Sequence, residues 1–89
     1  MSESSFKLKV VTPDQIFFEG DTVSVVAPGS VGYLGVLKNH APLVTTLGKG
    51  NLTFRDAAGE SKVFKVEGGF LEVLKNRVLV LTDKVGDVA

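Results

Sequence analysis

Apolar and polar residues alternate with a period of two along most of this chain. In 6–11 (FKLKVV), Phe6, Leu8 and Val10 alternate with Lys7 and Lys9, setting an apolar face against a charged one. The same period puts Val23 and Val25 on one face of 22–27 (TVSVVA) and turns Leu52 and Phe54 inward in 51–56 (NLTFRD). The segment 16–21 (IFFEGD) reads as a short apolar piece ending in a turn, and 61–66, 69–74 and 77–83 complete the series. Val and Phe are abundant, and both suit a pleated, half-buried surface.

Punctuation between these runs is equally regular. Pro13 and Asp14 form a turn in 12–15, and Gly59 supplies positive φ in 57–60. Lys75 and Asn76 separate two β-rich runs by two residues, which predicts a hairpin; Asn76 tolerates the left-handed backbone such turns need, and Lys75 suits it less well. The EGG triplet at 67–69 predicts a bulge or bend. Turn signals recur about every 6–12 residues, and no window of about 12 or more shows a helical stripe. The fold class is therefore all-β: an antiparallel β-sandwich or a barrel. The tail 84–89 (KVGDVA) is too short for a further element and is expected to fray.

Composition narrows the function classes. Eighty-nine residues make one small domain, and 44% hydrophobic content is too high for a disordered chain. Ten Lys+Arg balance ten Asp+Glu, so net charge makes no case for nucleic acid or an anionic membrane surface. The chain has no cysteine, which excludes a disulfide framework, a thiolate metal site and a thiol nucleophile. No stretch approaches the roughly 20 apolar residues of a membrane helix, and 1–10 lack the apolar run of a signal peptide. A soluble or peripheral protein is expected.

Unusual residues concentrate in 27–50 (APGSVGYLGVLKNHAPLVTTLGKG), which holds the chain's one Tyr and one His. His40 lacks the second His or Cys a metal site would want, and no Ser sits in a Gly-x-Ser-x-Gly elbow. A packed or interface histidine is the better reading than a hydrolase base. Gly29, Gly32 and Gly35 recur at intervals of three, but a phosphate cradle needs a helix N-terminus, and the next residues are β-like with Pro42 among them. These glycines read as turn-shaping residues; a small nucleotide or phosphate ligand on the 29–35 loop is the alternative. Glu67 and Glu72 fall on opposite strand faces, and Lys7, Lys9, Lys62 and Lys65 read as solvent-face residues. Tyr33, Leu34, Val36 and Leu37 are mostly apolar among turn residues, so they either fold onto the core or face a partner. No catalytic residue, metal site or cofactor is expected.

Taken together, these residues resemble a known family. The order of VVTPDQIFFEGD near the start, G-x-L-G-V-L at 32–37, HAPLVT at 40–45 and GGFLEV at 68–73 is similar to the epsilon subunit of F-type ATP synthases, over about 6–85. The resemblance implies a β-sandwich of about ten short strands and a non-catalytic place in the rotor. There the domain docks beside the gamma subunit, rests on the polar loops of the c-ring, and helps couple proton-driven rotation to the catalytic head. Residue by residue, Ser30, Val31, Gly32 and Tyr33 match the loop that faces the c-ring. Thr12, His40 and Thr45, with Ala41, Pro42 and Leu43 alongside, match positions that face gamma. Family members often carry an acid where this chain has Tyr33, which implies a packed or hydrogen-bonded contact in place of a salt bridge. Many carry Pro-Gly before the histidine, where Lys38 and Asn39 stand here; Asn39 keeps the left-handed turn available. The resemblance further implies a peripheral place at the cytoplasmic side of the cell inner membrane, held through the complex without insertion, and no nucleic-acid partner. Typical members continue as a C-terminal helical hairpin. This chain stops just after the last predicted strand, so a single domain over 1–89 without a helical domain is expected, either a naturally short form, the favoured reading, or a piece cut from a longer subunit.

Overall fold

The computed structural model describes residues 4–87. Nine strands follow in order: β1 Phe6–Val11, β2 Ile16–Gly29, β3 Gly32–Val36, β4 Leu43–Thr46, β5 Lys49–Asp56, β6 Ser61–Glu67, β7 Phe70–Leu74, β8 Arg77–Leu81 and β9 Lys84–Asp87. Among the described residues there is no helix, in keeping with the period-two pattern, and the strand count is nine where about ten were expected. Among the described residues no helix is long and apolar enough to cross a membrane.

Hydrogen bonding links the strands in the order β4-β7-β8-β1-β2-β5-β6-β9, with β3 also paired to β2. The path folds over at β2. Its first half, Ile16 to Thr22, pairs with β1; Val25 and Val26 pair with β5 on one edge and β3 on the other. A register shift between Thr22 and Ser24 marks the bend. There the buried Thr22 hydroxyl donates to the Arg55 carbonyl, so the irregular backbone is not left unsatisfied. One layer is thus β4-β7-β8-β1, and the other is built from the second half of β2 with β3, β5, β6 and β9.

Between them lies one apolar core. Phe6, Leu8, Val10, Leu71, Val73, Val78 and Val80 come from the first layer, and Val25, Ala27, Val36, Leu52, Phe54 and Val66 from the second. Every second residue of each strand supplies it, as the alternation requires. Phe54 anchors an aromatic cluster, with Phe18 at 4.6 Å and Phe64 at 5.8 Å between ring centroids.

Two expectations are corrected. Gly20 and Asp21 do not form a turn. β2 runs straight through them because β1 holds both, Leu8 opposite Gly20 and Lys7 opposite Asp21, with a Lys7–Asp21 ion pair at 2.6 Å. Phe18 also lies over Gly20, where an added Cβ would sit 3.3 Å from the ring. The tail does not fray as a whole either. Lys84–Asp87 forms β9 on the outer edge of β6, pairing Val85 with Val66, and Val85 packs against the core. A strand edge left by β6 and one apolar residue suffice to order four residues. Val88 and Ala89 lie outside the described residues.

The predicted hairpin is present, with Leu74 opposite Arg77 and positive φ at Lys75 (50°) and Asn76 (60°), the pattern of a type I′ turn. Gly68 and Gly69, at φ 74° and 96°, carry the chain from β6 in one layer to β7 in the other. A Cβ on Gly69 would collide with the Leu81 carbonyl and come within 2.6 Å of Thr82 Cα, so only glycine passes here.

Candidate interaction surfaces

One end of the sandwich gathers the β2–β3 hairpin, the β4–β5 corner and the Gly68–Gly69 crossing. Gly29 and Gly32 face each other across the hairpin, with Ser30 and Val31 at the turn. Ser30 is pinned twice to Thr46: its N–H donates to the Thr46 carbonyl at 3.0 Å, and the two hydroxyls lie 2.7 Å apart. Gly48 N–H donates to the Pro28 carbonyl at 2.8 Å, and Leu47 N–H to the Gly69 carbonyl at 2.9 Å. The tip is therefore held rigidly while its side chains project. Val31 is 98% exposed and Tyr33 60% exposed. The three glycines are ladder residues, Gly29 opposite Gly32 and Gly35 opposite Val26, and shape a hairpin rather than a helix-capped phosphate cradle.

Of the apolar quartet singled out in the sequence, Val36 is buried and Leu34 packs on the core, while Tyr33 and Leu37 remain exposed. Beside the hairpin lies an open groove of about 270 Å³ where Val31, Tyr33 and Leu34 meet Leu43 and Thr45 of β4. The structure thus joins the segment predicted to face the ring to part of the segment predicted to face gamma.

The other gamma-facing candidates are spread across the first layer. Thr12 sits in the β1–β2 turn, where its N–H donates to the Gln15 carbonyl and its hydroxyl accepts the Asp14 N–H at 3.3 Å. His40, Ala41 and Pro42 lie at the far end of the same layer, in the β3–β4 connection. Asn39 has φ 67°, the left-handed turn anticipated for it. It is clasped to the β7–β8 turn. Asn39 N–H donates to Asn76 Oδ1 at 2.7 Å, and Asn76 Nδ2 donates to Asn39 Oδ1 at 3.1 Å. His40 turns its Nδ1 to the Ala41 carbonyl at 2.7 Å, a bond to the backbone of the next residue rather than to a hydroxyl nucleophile. No group of three or more His, Cys, Asp or Glu suited to a metal occurs among the described residues. Leu43 and Thr45 pair with the buried Val73 and Leu71, so both point inward.

Between the Thr12 turn and the His40 loop, on the side away from Leu43 and Thr45, lies the outer face of the first layer, which the sequence reading did not single out. In-register neighbours share a face. One outward row runs Thr46, Phe70, Leu81, Val11 and Ile16; the next runs Val44, Glu72, Leu79, Lys9 and Glu19. Val44 is 68% exposed, and Ile16 and Leu74 are exposed as well. Phe70, Leu79, Leu81 and Val11 are only half-buried. Toward the His40 end the face turns charged, and Lys7, Lys9, Arg77, Glu19 and Glu72 line a groove of about 740 Å³. A usable signal was present in RVLVL: β8 is apolar at both parities, as strands covered on both faces are.

Residues 5–87 match the family model described as "ATP synthase, Delta/Epsilon chain, beta-sandwich domain". The chain belongs to this family. Similar relatives carry the name "ATP synthase epsilon chain". One from Leptospira interrogans is 48% identical over 84 residues, covering 93% of this chain and 65% of the relative. Another, from Chlorobium limicola, is 44% identical over 86 residues, covering 94% of this chain and 96% of the relative. The chain thus spans less than two thirds of the Leptospira relative and nearly all of the Chlorobium one. A solved structure of the Euglena gracilis mitochondrial ATP synthase, OSCP/F1/c-ring, matches with a TM-score of 0.86 at 21% identity, over 92% of this chain and 52% of the matched one. At that identity the match speaks for the fold alone.

Proposed function

We propose that this chain is the non-catalytic epsilon-type subunit of an F-type ATP synthase central stalk. Its first-layer outer face docks on the gamma subunit, and its hairpin end rests on the c-ring. It helps couple proton translocation to ATP synthesis at the cytoplasmic side of the inner membrane, held there through the complex. The function belongs to the β-sandwich itself and uses no cofactor.

The observation that carries this reading is the apolar outer row of Phe70, Leu81, Val11 and Ile16 with Leu79 and Val44 beside it. A sheet face normally left to water is polar; this one is suited to permanent cover. It runs between the Thr12 turn and the His40 loop, so a single partner lying along the layer reaches both. The perpendicular end, with Val31 at its tip, stays free for a second partner. Removing the subunit from the complex should abolish most proton-coupled ATP synthesis in membrane vesicles, and adding the purified chain back should restore it. Coupling that is complete without the chain would contradict the proposal.

A further inference from the structure

Tyr33 is seated on the sheet rather than free to swing. β3 sets it opposite Pro28 of β2, and its side chain crosses β2 to reach β5. There Tyr33 Oη accepts the Asn51 N–H at 3.0 Å. The seat is made by two neighbours. The β2–β5 pairing ends at Val26 opposite Thr53, and the Pro28 carbonyl beyond it takes the Gly48 N–H at 2.8 Å, so the Asn51 N–H finds its acceptor in the phenol. Gly50 provides the space: a Cβ there would collide with the Tyr33 hydroxyl and lie 2.9 Å from Pro28 Cβ and 3.2 Å from Tyr33 Cζ. Tyr33 is nonetheless 60% exposed, next to the fully projecting Val31.

The hydrogen-bond inventory then fixes what Tyr33 offers outward. A phenol has one O–H to donate and an oxygen that accepts. Its oxygen is engaged by Asn51, so the O–H proton remains to be given away. We infer that Tyr33 reads a hydrogen-bond acceptor, a carboxylate or a backbone carbonyl, on the polar partner loop that the hairpin end meets. This rests on the ring-docking reading above and deepens it, because it assigns a sign to the contact. An acidic residue at this position would seek a donor or a cation on the partner; a seated phenol seeks the reverse.

The test is binding of the gamma-bound chain to detergent-solubilised c-ring, with Tyr33→Phe, Tyr33→Glu, Gly50→Ala and Val31→Asp beside the parent. Tyr33→Phe keeps the ring but loses the donor, so affinity falls by about three- to tenfold. Tyr33→Glu sets a carboxylate against an acceptor and binds more weakly than Tyr33→Phe. Gly50→Ala leaves Tyr33 in the chain but displaces its hydroxyl, and weakens binding much as Tyr33→Phe does. Parent-like binding by Tyr33→Phe overturns the inference, since a cation stacked on the phenol face would be kept by Phe. Tighter binding by Tyr33→Glu overturns it too, by showing that the partner offers a cation. Unchanged binding by Val31→Asp removes the docking reading itself, and the inference with it.

Discussion

Asn76 serves two purposes at once. Its positive φ closes the β7–β8 hairpin, and its side-chain amide holds the loop that carries His40. The two contributions separate by substitution. Asn76→Gly keeps the turn and removes the clasp, which should cost about 1 kcal/mol in urea unfolding. Asn76→Ala also forces an L side chain into the left-handed region and should cost about 1–2 kcal/mol more. Equal stabilities for the two variants would mean that backbone geometry contributes nothing. The turn was legible in the sequence because Asn is a recognised left-handed residue. The clasp was not, since Asn39 and Asn76 are far apart along the chain and only the β3–β4 connection brings them together. Gly69 is a sharper case. Gly69→Ala should lose more than about 3 kcal/mol or fail to fold, because φ is unsuited to alanine and the Cβ has a carbonyl in its way.

At the level of elements, most strands could be read from alternation alone, and the failures share one cause. Gly20–Asp21 has the composition of a turn, and Lys84–Asp87 is short and sparse in apolar residues. In both places a neighbouring strand overrode local preference: β1 pairs along the first, and β6 offers its edge to the second. Long-range pairing of this kind leaves no local signature. β9 should therefore depend on its one core contact. Val85→Asp should destabilise the domain by about 2 kcal/mol, since it puts a charge where an apolar side chain packs. It should also speed hydrogen exchange of β6 amides near Val66 ahead of those in β1 and β8. Uniform exchange across all three strands would argue that β9 is not a separable edge.

For the whole molecule, the two layers give two different surfaces. The hairpin end presents projecting side chains on a pinned backbone, a geometry for contacting loops. The outer face of the first layer presents rows of half-covered apolar residues flanked by charge, a geometry for broad and lasting cover. Periodicity showed that every strand has two faces. It did not show which outward face is covered, because Leu79 and Leu81 are as apolar as the Val78 and Val80 they alternate with, and Arg77 at the start of the strand is the one polar residue on their side. Resemblance to the epsilon subunit pointed to Thr12 and to the residues around His40, which fall on the border of that face. The residues expected to supply most of its binding area lie between them.

The most direct measurement is the affinity of purified gamma for this chain carrying Leu79→Glu and Leu81→Glu together, by calorimetry on folded protein checked by circular dichroism. Both side chains point away from the core, so the sandwich should keep its stability to within about 1 kcal/mol. Binding should fall by about a hundredfold or more, as two carboxylates are pressed into an apolar contact. Parent-like affinity in the folded double variant would contradict the assignment of this face to gamma.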